Sequence, residues 1–144
     1  MQTARLVSSL SRRRAYPIMA KSIGLSVYQA LTSAASPGIR LFLRSRRMRG
    51  KEDPQRVSER FGRTNRPRPE GPLIWIHAAS VGESVSALPI IEHFRDTRPD
   101  LNILITTGTV TSAQILAERL PEDVIHQFVP VDTPGAVRRF LDHW

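Results

Sequence analysis

From residue 73 onward the apolar positions follow two alternating periods. "LIWIHAA" (73–79), "LNILITT" (101–107) and "VIHQFVP" (124–130) are short apolar runs ended by small or turn-forming residues. Such runs predict buried parallel strands. Between the first two lies "ESVSALPIIEHFRDTRPD", with Val85, Leu88, Ile91 and Phe94 at steps of three. That spacing predicts an amphipathic helix, with Pro89 close enough to its start to be tolerated or to kink it. "TSAQILAERL" (111–120) predicts a second helix with Thr111 or Ser112 as N-cap, and "TPGAVRRFLDHW" (133–144) a third opened by Thr133-Pro134. The order β-α-β-α-β-α with short connections predicts an α/β fold. Its parallel sheet would carry helices on both faces through right-handed crossovers.

The first 72 residues are patterned differently. Residues 1–22 are basic and predicted to be disordered. In 23–43, "IGLSVYQALTSAASPGIRLFL", Ile23, Val27, Ala30, Leu31 and Ala34 recur at helical spacing, Pro37-Gly38 breaks the run, and Ile39, Leu41, Phe42 and Leu43 resume it. The expected unit is a basic amphipathic helical arm over 23–49. Residues 50–72 then read as a short helix, opened by Asp53-Pro54 and anchored by Val57 and Phe61, and a linker with Pro67, Pro69, Gly71 and Pro72. The globule is expected to begin near Leu73.

Charge sharpens this division. Residues 1–68 hold 16 Lys+Arg against 3 Asp+Glu, a net of +13; residues 69–144 hold 5 against 10, a net of −5. The chain therefore reads as a basic arm on a mildly acidic globule, with an anionic membrane or a nucleic acid as natural partner. The apolar stretch of the arm contains Ser26, Gln29, Thr32 and Arg40 and has positive charge on both flanks. That suits a segment lying in the membrane interface better than one crossing it. The bland alternative is a helix packed on the globule with solvated arginines. Nucleic acid is disfavoured because no aromatic residues interleave with the basic cluster. The Arg- and Ser-rich, acid-free residues 1–22 have the composition of an organellar presequence or of an ordinary bacterial N-terminus. The chain has no cysteine, which excludes disulfides and thiolate metal sites, and its four histidines show no ligand spacing.

Ligands of parallel α/β sheets gather at the C-terminal ends of the strands. The first βα loop there is Ser80-Val81-Gly82-Glu83, so Glu83 is a candidate catalytic carboxylate beside a glycine that permits close approach by a ligand. The competing reading makes Glu83 an N-terminal helix carboxylate complementing the dipole. The second loop offers Thr107, Gly108, Thr109, Thr111 and Ser112, hydroxyls and a helix start suited to an anion or a sugar. Neither G-x-G-x-x-G nor G-x-x-x-x-G-K-[ST] occurs, so no cofactor is implied. Two other function classes compete: a stand-alone basic adaptor for membrane or nucleic acid, and a small nucleotide-binding α/β protein.

"RGKEDPQRVSERFG", "IWIHAASVGESVSALPIIEHF", "ILITTGTVTSA" and "HQFVPVDTPGAVRRFLDHW", in that order, resemble the N-terminal half of the 3-deoxy-D-manno-octulosonic acid (Kdo) transferases, from about Val27 to the end. The resemblance implies the GT-B arrangement of two facing Rossmann-like domains, of which this chain carries part of the first, the acceptor side, over 73–144. It implies transfer of Kdo from CMP-Kdo to the lipid A precursor at the cytoplasmic face of the inner membrane, by an inverting reaction without metal or cofactor. The family's catalytic base falls on Glu83, in Gly82-Glu83. Ser80, Gly82, Thr107, Gly108, Thr109, Thr111 and Ser112 become candidate substrate contacts. Arg44, Arg46, Arg47 and Arg49 become candidates for membrane or acceptor-phosphate contact, and no nucleic acid is expected. The chain ends within the family's first domain, so the CMP site is expected to lie outside it, and the 144 residues alone to be inactive with an exposed sheet edge.

Overall fold

The computed structural model describes residues 23–34 and 36–144; the presequence reading of residues 1–22 falls outside them. Two helices, α1 (Ile23–Ala34) and α2 (Ser36–Met48), precede a 3₁₀ helix, Val57–Phe61. Three βα units follow: β1 (Leu73–Ala78), α3 (Val81–Thr97), β2 (Asn102–Thr107), α4 (Val110–Arg119), β3 (Ile125–Phe128) and α5 (Pro134–His143). The strands are all parallel in the order β1-β2-β3, the arrangement of a partial Rossmann-like domain.

The pleat sorts the side chains. Ile74, Ile76 and Ala78 of β1 and Ile103 and Ile105 of β2 point to one face, where they meet Ala87 and Ile91 of α3 and Leu116 of α4. Ile91, Ile105 and Leu116 are wholly buried, each worth about 1.5–3 kcal/mol over an exposed position. The opposite face carries Trp75, whose ring lies 4.9 Å from that of Phe140 on α5. Helices thus cover both faces, as the alternating pattern predicted. α3 runs through Pro89 without interruption, the proline sitting on its exposed side.

Three expectations change. Pro37-Gly38 does not break the run: both residues lie within α2, Pro37 in its first turn. α2 then continues through the arginine cluster to Met48. The N-cap of α4 is Thr109, whose hydroxyl accepts from Ser112 N at 3.1 Å; Thr111 and Ser112 lie inside the helix. Finally, burial starts well before Leu73. Glu52 and Arg60 are 3% and 6% exposed, and Glu59 accepts from Phe128 N at 2.7 Å, covering the outer edge of β3. Among the described residues the outer edge of β1 is the one left unpaired.

Candidate functional site

The end of β1 delivers the chain into α3 through a reciprocal cap. Ser80 has extended backbone, and its hydroxyl accepts from Glu83 N at 3.2 Å. The Glu83 carboxylate reaches back, accepting from Ala79 N at 2.8 Å and from Ser80 Oγ at 3.2 Å. This is a variant of the S-x-x-E capping box, with the carboxylate on the N–H of the residue before the cap instead of on that of Ser80 itself. Glu83 is exposed, so its carboxylate is held by two local bonds yet open to solvent at the C-terminal end of the sheet. Both readings of Glu83 therefore occupy one geometry: it caps the helix, and it is aimed and accessible.

The second loop abuts the first. A Cβ on Gly108 would stand 3.7 Å from Ala79 O, so the backbones of the two loops touch. The predicted contact residues divide here. Ser80, Gly82 and Thr111 are exposed, and Gly108 and Thr109 half-buried. Thr107 and Ser112 are fully buried, and both hydroxyls are engaged, Ser112 Oγ accepting from Thr109 Oγ1 at 2.8 Å. Those two support the loop from beneath rather than face a ligand.

What they rest on was not anticipated. Glu59-Arg60-Phe61-Gly62 forms a clamp across the strand ends. Arg60 makes two bonds to Glu52, at 2.9 and 3.3 Å, donates to Val129 O at 3.1 Å and also to Gly108 O, and lies over the Phe128 ring. Glu52 is held from the other side by Arg46 at 2.6 Å. Gly62 adopts φ +72° with its α-hydrogen against α5: a Cβ there would be 2.1 Å from Ala136 O. The signal was present in "ERFG", but a buried Arg and an invading Gly cannot be told from surface residues by periodicity alone.

His126 completes the support. Arg56 donates to its Nδ1 at 3.1 Å, and a guanidinium can only donate, so Nε2 carries the proton and donates to Thr107 Oγ1 at 2.9 Å. Burial, reinforced by the nearby Arg56 and Arg66 charges, pushes the imidazole down to about 4 and keeps it neutral.

The sequence model of the family described as 3-Deoxy-D-manno-octulosonic-acid transferase (kdotransferase) matches residues 55–144. The chain belongs to this family. A probable 3-deoxy-D-manno-octulosonic acid transferase of Arabidopsis thaliana, described as mitochondrial, is 49% identical over 118 residues, covering 82% of this chain and 26% of the relative. The 3-deoxy-D-manno-octulosonic acid transferases of Rickettsia bellii and Haemophilus influenzae are 42% and 32% identical over 95 and 118 residues, covering 66% and 80% of this chain and 23% and 27% of theirs. The chain thus spans about a quarter of the length of the curated Kdo transferases it matches. No solved structure matches it.

The family match contains the clamp, His126 and both loops, but stops short of α1 and α2. The four predicted arginines, three on α2 and Arg49 just after it, part company. Arg46 turns inward to Glu52, whereas Arg44, Arg47 and Arg49 stay exposed. α1 packs on α5, with the Tyr28 hydroxyl donating to Asp132 Oδ2. Ile23, Leu31, Leu41, Phe42 and Met48 are all more than 60% exposed, an apolar surface next to the arginines. None of the described helices is long and apolar enough to cross a membrane.

Proposed function

We propose that these residues form the acceptor side of a transferase that moves Kdo from CMP-Kdo to the lipid A precursor, with Glu83 as general base. The carboxylate would take the proton of the attacking acceptor hydroxyl. As the new C–O bond forms at the anomeric carbon, the bond to CMP breaks and CMP leaves with the electron pair. The observation carrying this reading is the Glu83 carboxylate itself, exposed yet oriented by Ala79 N and Ser80 Oγ at the end of β1. A base needs that combination: fixed aim and access to the proton it removes. The rim supplied by Gly108, Thr109 and Thr111 would receive part of the acceptor. The exposed apolar residues and arginines of α1 and α2 would hold the protein on an anionic membrane surface, the inner membrane in a bacterium or an organellar membrane in a plant.

The test exploits the cap. Glutamine satisfies a capping box as well as glutamate does, so Glu83→Gln keeps the helix start and removes the base. Residues 1–144 joined to the C-terminal part of a close relative are assayed for Kdo transfer from CMP-Kdo. The variant is expected to lose at least about a hundredfold in kcat at unchanged melting temperature. Unchanged kcat would reduce Glu83 to a helix cap.

A further inference from the structure

One buried carboxylate links the arm to the rim of the sheet. After α2 the chain turns back at Gly50, where φ is +69°, and Lys51 N donates to Arg46 O at 2.9 Å. That return brings Glu52, 3% exposed, between two guanidinium groups. Arg46 Nε donates to its Oε1 at 2.6 Å. Arg60 donates through Nε to Oε2 at 2.9 Å and through Nη2 to Oε1 at 3.3 Å. Arg46 Nη2 also donates to Lys51 O at 3.2 Å, so one arginine fixes both the carboxylate and the backbone beside it. Neither Arg46 nor Glu52 lies within the family match, which begins at residue 55.

A guanidinium is a rigid planar fork, so what orients one edge of it orients the other. The far edge of Arg60 meets the rim, Nη1 donating to Val129 O at 3.1 Å and Nη2 to Gly108 O. Those carbonyls belong to the segments that follow β3 and β2. Gly108 lies against the first loop, where a Cβ on it would stand 3.7 Å from Ala79 O, and the Ala79 N–H holds the Glu83 carboxylate at 2.8 Å. We propose that Arg46 and Glu52 are positioning residues for the reaction at Glu83: they lock the Arg60 fork, and the fork sets the second and third βα loops against the first. With Arg46 gone, the Glu52 carboxylate is free to swing on its remaining partner, and the fork tilts with it. A displacement of about 1 Å at a reacting group costs up to about a hundredfold in rate. The inference deepens the proposed function, and its kinetic half rests on that reading; its structural half does not.

The structural half is read in the 144-residue chain by amide hydrogen exchange at Ala79, Val129 and Val131, whose N–H groups bond to the Glu83 carboxylate, Thr107 O and Arg60 O. Arg46→Gln is expected to speed exchange at all three by about tenfold, while Leu104 and Ile105 in the central strand keep their rates. Arg46→Lys keeps a cation beside Glu52 and should restore most of the protection. Arg44→Gln removes the same charge two residues away and should change nothing, because Arg44 is exposed and in no ion pair among the described residues. Acceleration spread evenly over the sheet, or equal in Arg44→Gln, would make Arg46 a general stabiliser or a surface charge and overturn the proposal. The kinetic half uses the chimera with the C-terminal part of a relative, well below its melting temperature. Arg46→Gln should lower kcat about tenfold at unchanged KM and add nothing in a Glu83→Gln background. A raised KM at unchanged kcat would make Arg46 a substrate contact and refute the positioning role. If Glu83→Gln alone leaves kcat intact, the base assignment fails and the exchange rates still decide whether Arg46 holds the rim.

Discussion

Arg60 joins the arm side of the molecule to the rim of the sheet, and its removal measures how much that junction holds. Arg60→Met keeps the length of the side chain and its packing on Phe128 but takes away the guanidinium. Glu52, 3% exposed, then keeps only Arg46, whose side chain is 29% exposed. Gly108 O and Val129 O lose their donor at the same time. Breaking one side of a buried ion pair costs about 3–5 kcal/mol, and the surviving Arg46 contact places this case near 3. For a chain of this size that lowers the melting temperature by about 10 °C. Urea unfolding followed by circular dichroism reads the loss directly. The double variant E52Q/R60M identifies its source. If the cost is a stranded carboxylate, the double variant loses about 1–3 kcal/mol less than the sum of the two singles. A loss below about 1 kcal/mol in Arg60→Met, or strict additivity, would refute the idea that this pair holds the loops.

Gly62→Ala should cost about 3 kcal/mol, combining a left-handed backbone with a Cβ placed against Ala136 O, whereas Gly50→Ala, at φ +69° with open space around it, should cost about 1; equal losses in urea unfolding would show that α5 yields. His126 makes stability depend on pH. Its folded pKa of about 4 lies below the ordinary 6.5, so between those values the unfolded chain binds the extra proton. Stability is complete above pH 6.5 and falls as pH drops toward 4, by at most about 3 kcal/mol. Melting curves of His126→Gln should lack that part of the decline, and identical pH profiles for the two proteins would refute the assignment.

The sequence by itself determined the repeating βα order, the division into a basic arm and an acidic globule, the family, and the position of Glu83 at the end of the first strand. These are local quantities: a period, a count of charges, and four stretches of residues in a fixed order. The mutual cap of Ser80 and Glu83 is local too, since S-x-x-E needs only three residues of separation. What the sequence could not decide involves partners far apart along the chain. Arg60 and Gly108 are 48 residues apart, Arg56 and His126 70. Only the folded sheet brings them together. That is why 50–62 reads in sequence as a short helix outside the globule and turns out to be the support of the strand ends. The same holds for charge. Thr107 and Ser112 look like ligand hydroxyls until the sheet buries them. Arg44 and Arg46 look alike on paper, but two residues of separation, about 200° around a helix, send Arg46 to a buried glutamate and leave Arg44 exposed. Periodicity assigns a residue to a face; which charges on that face find a partner is settled by packing.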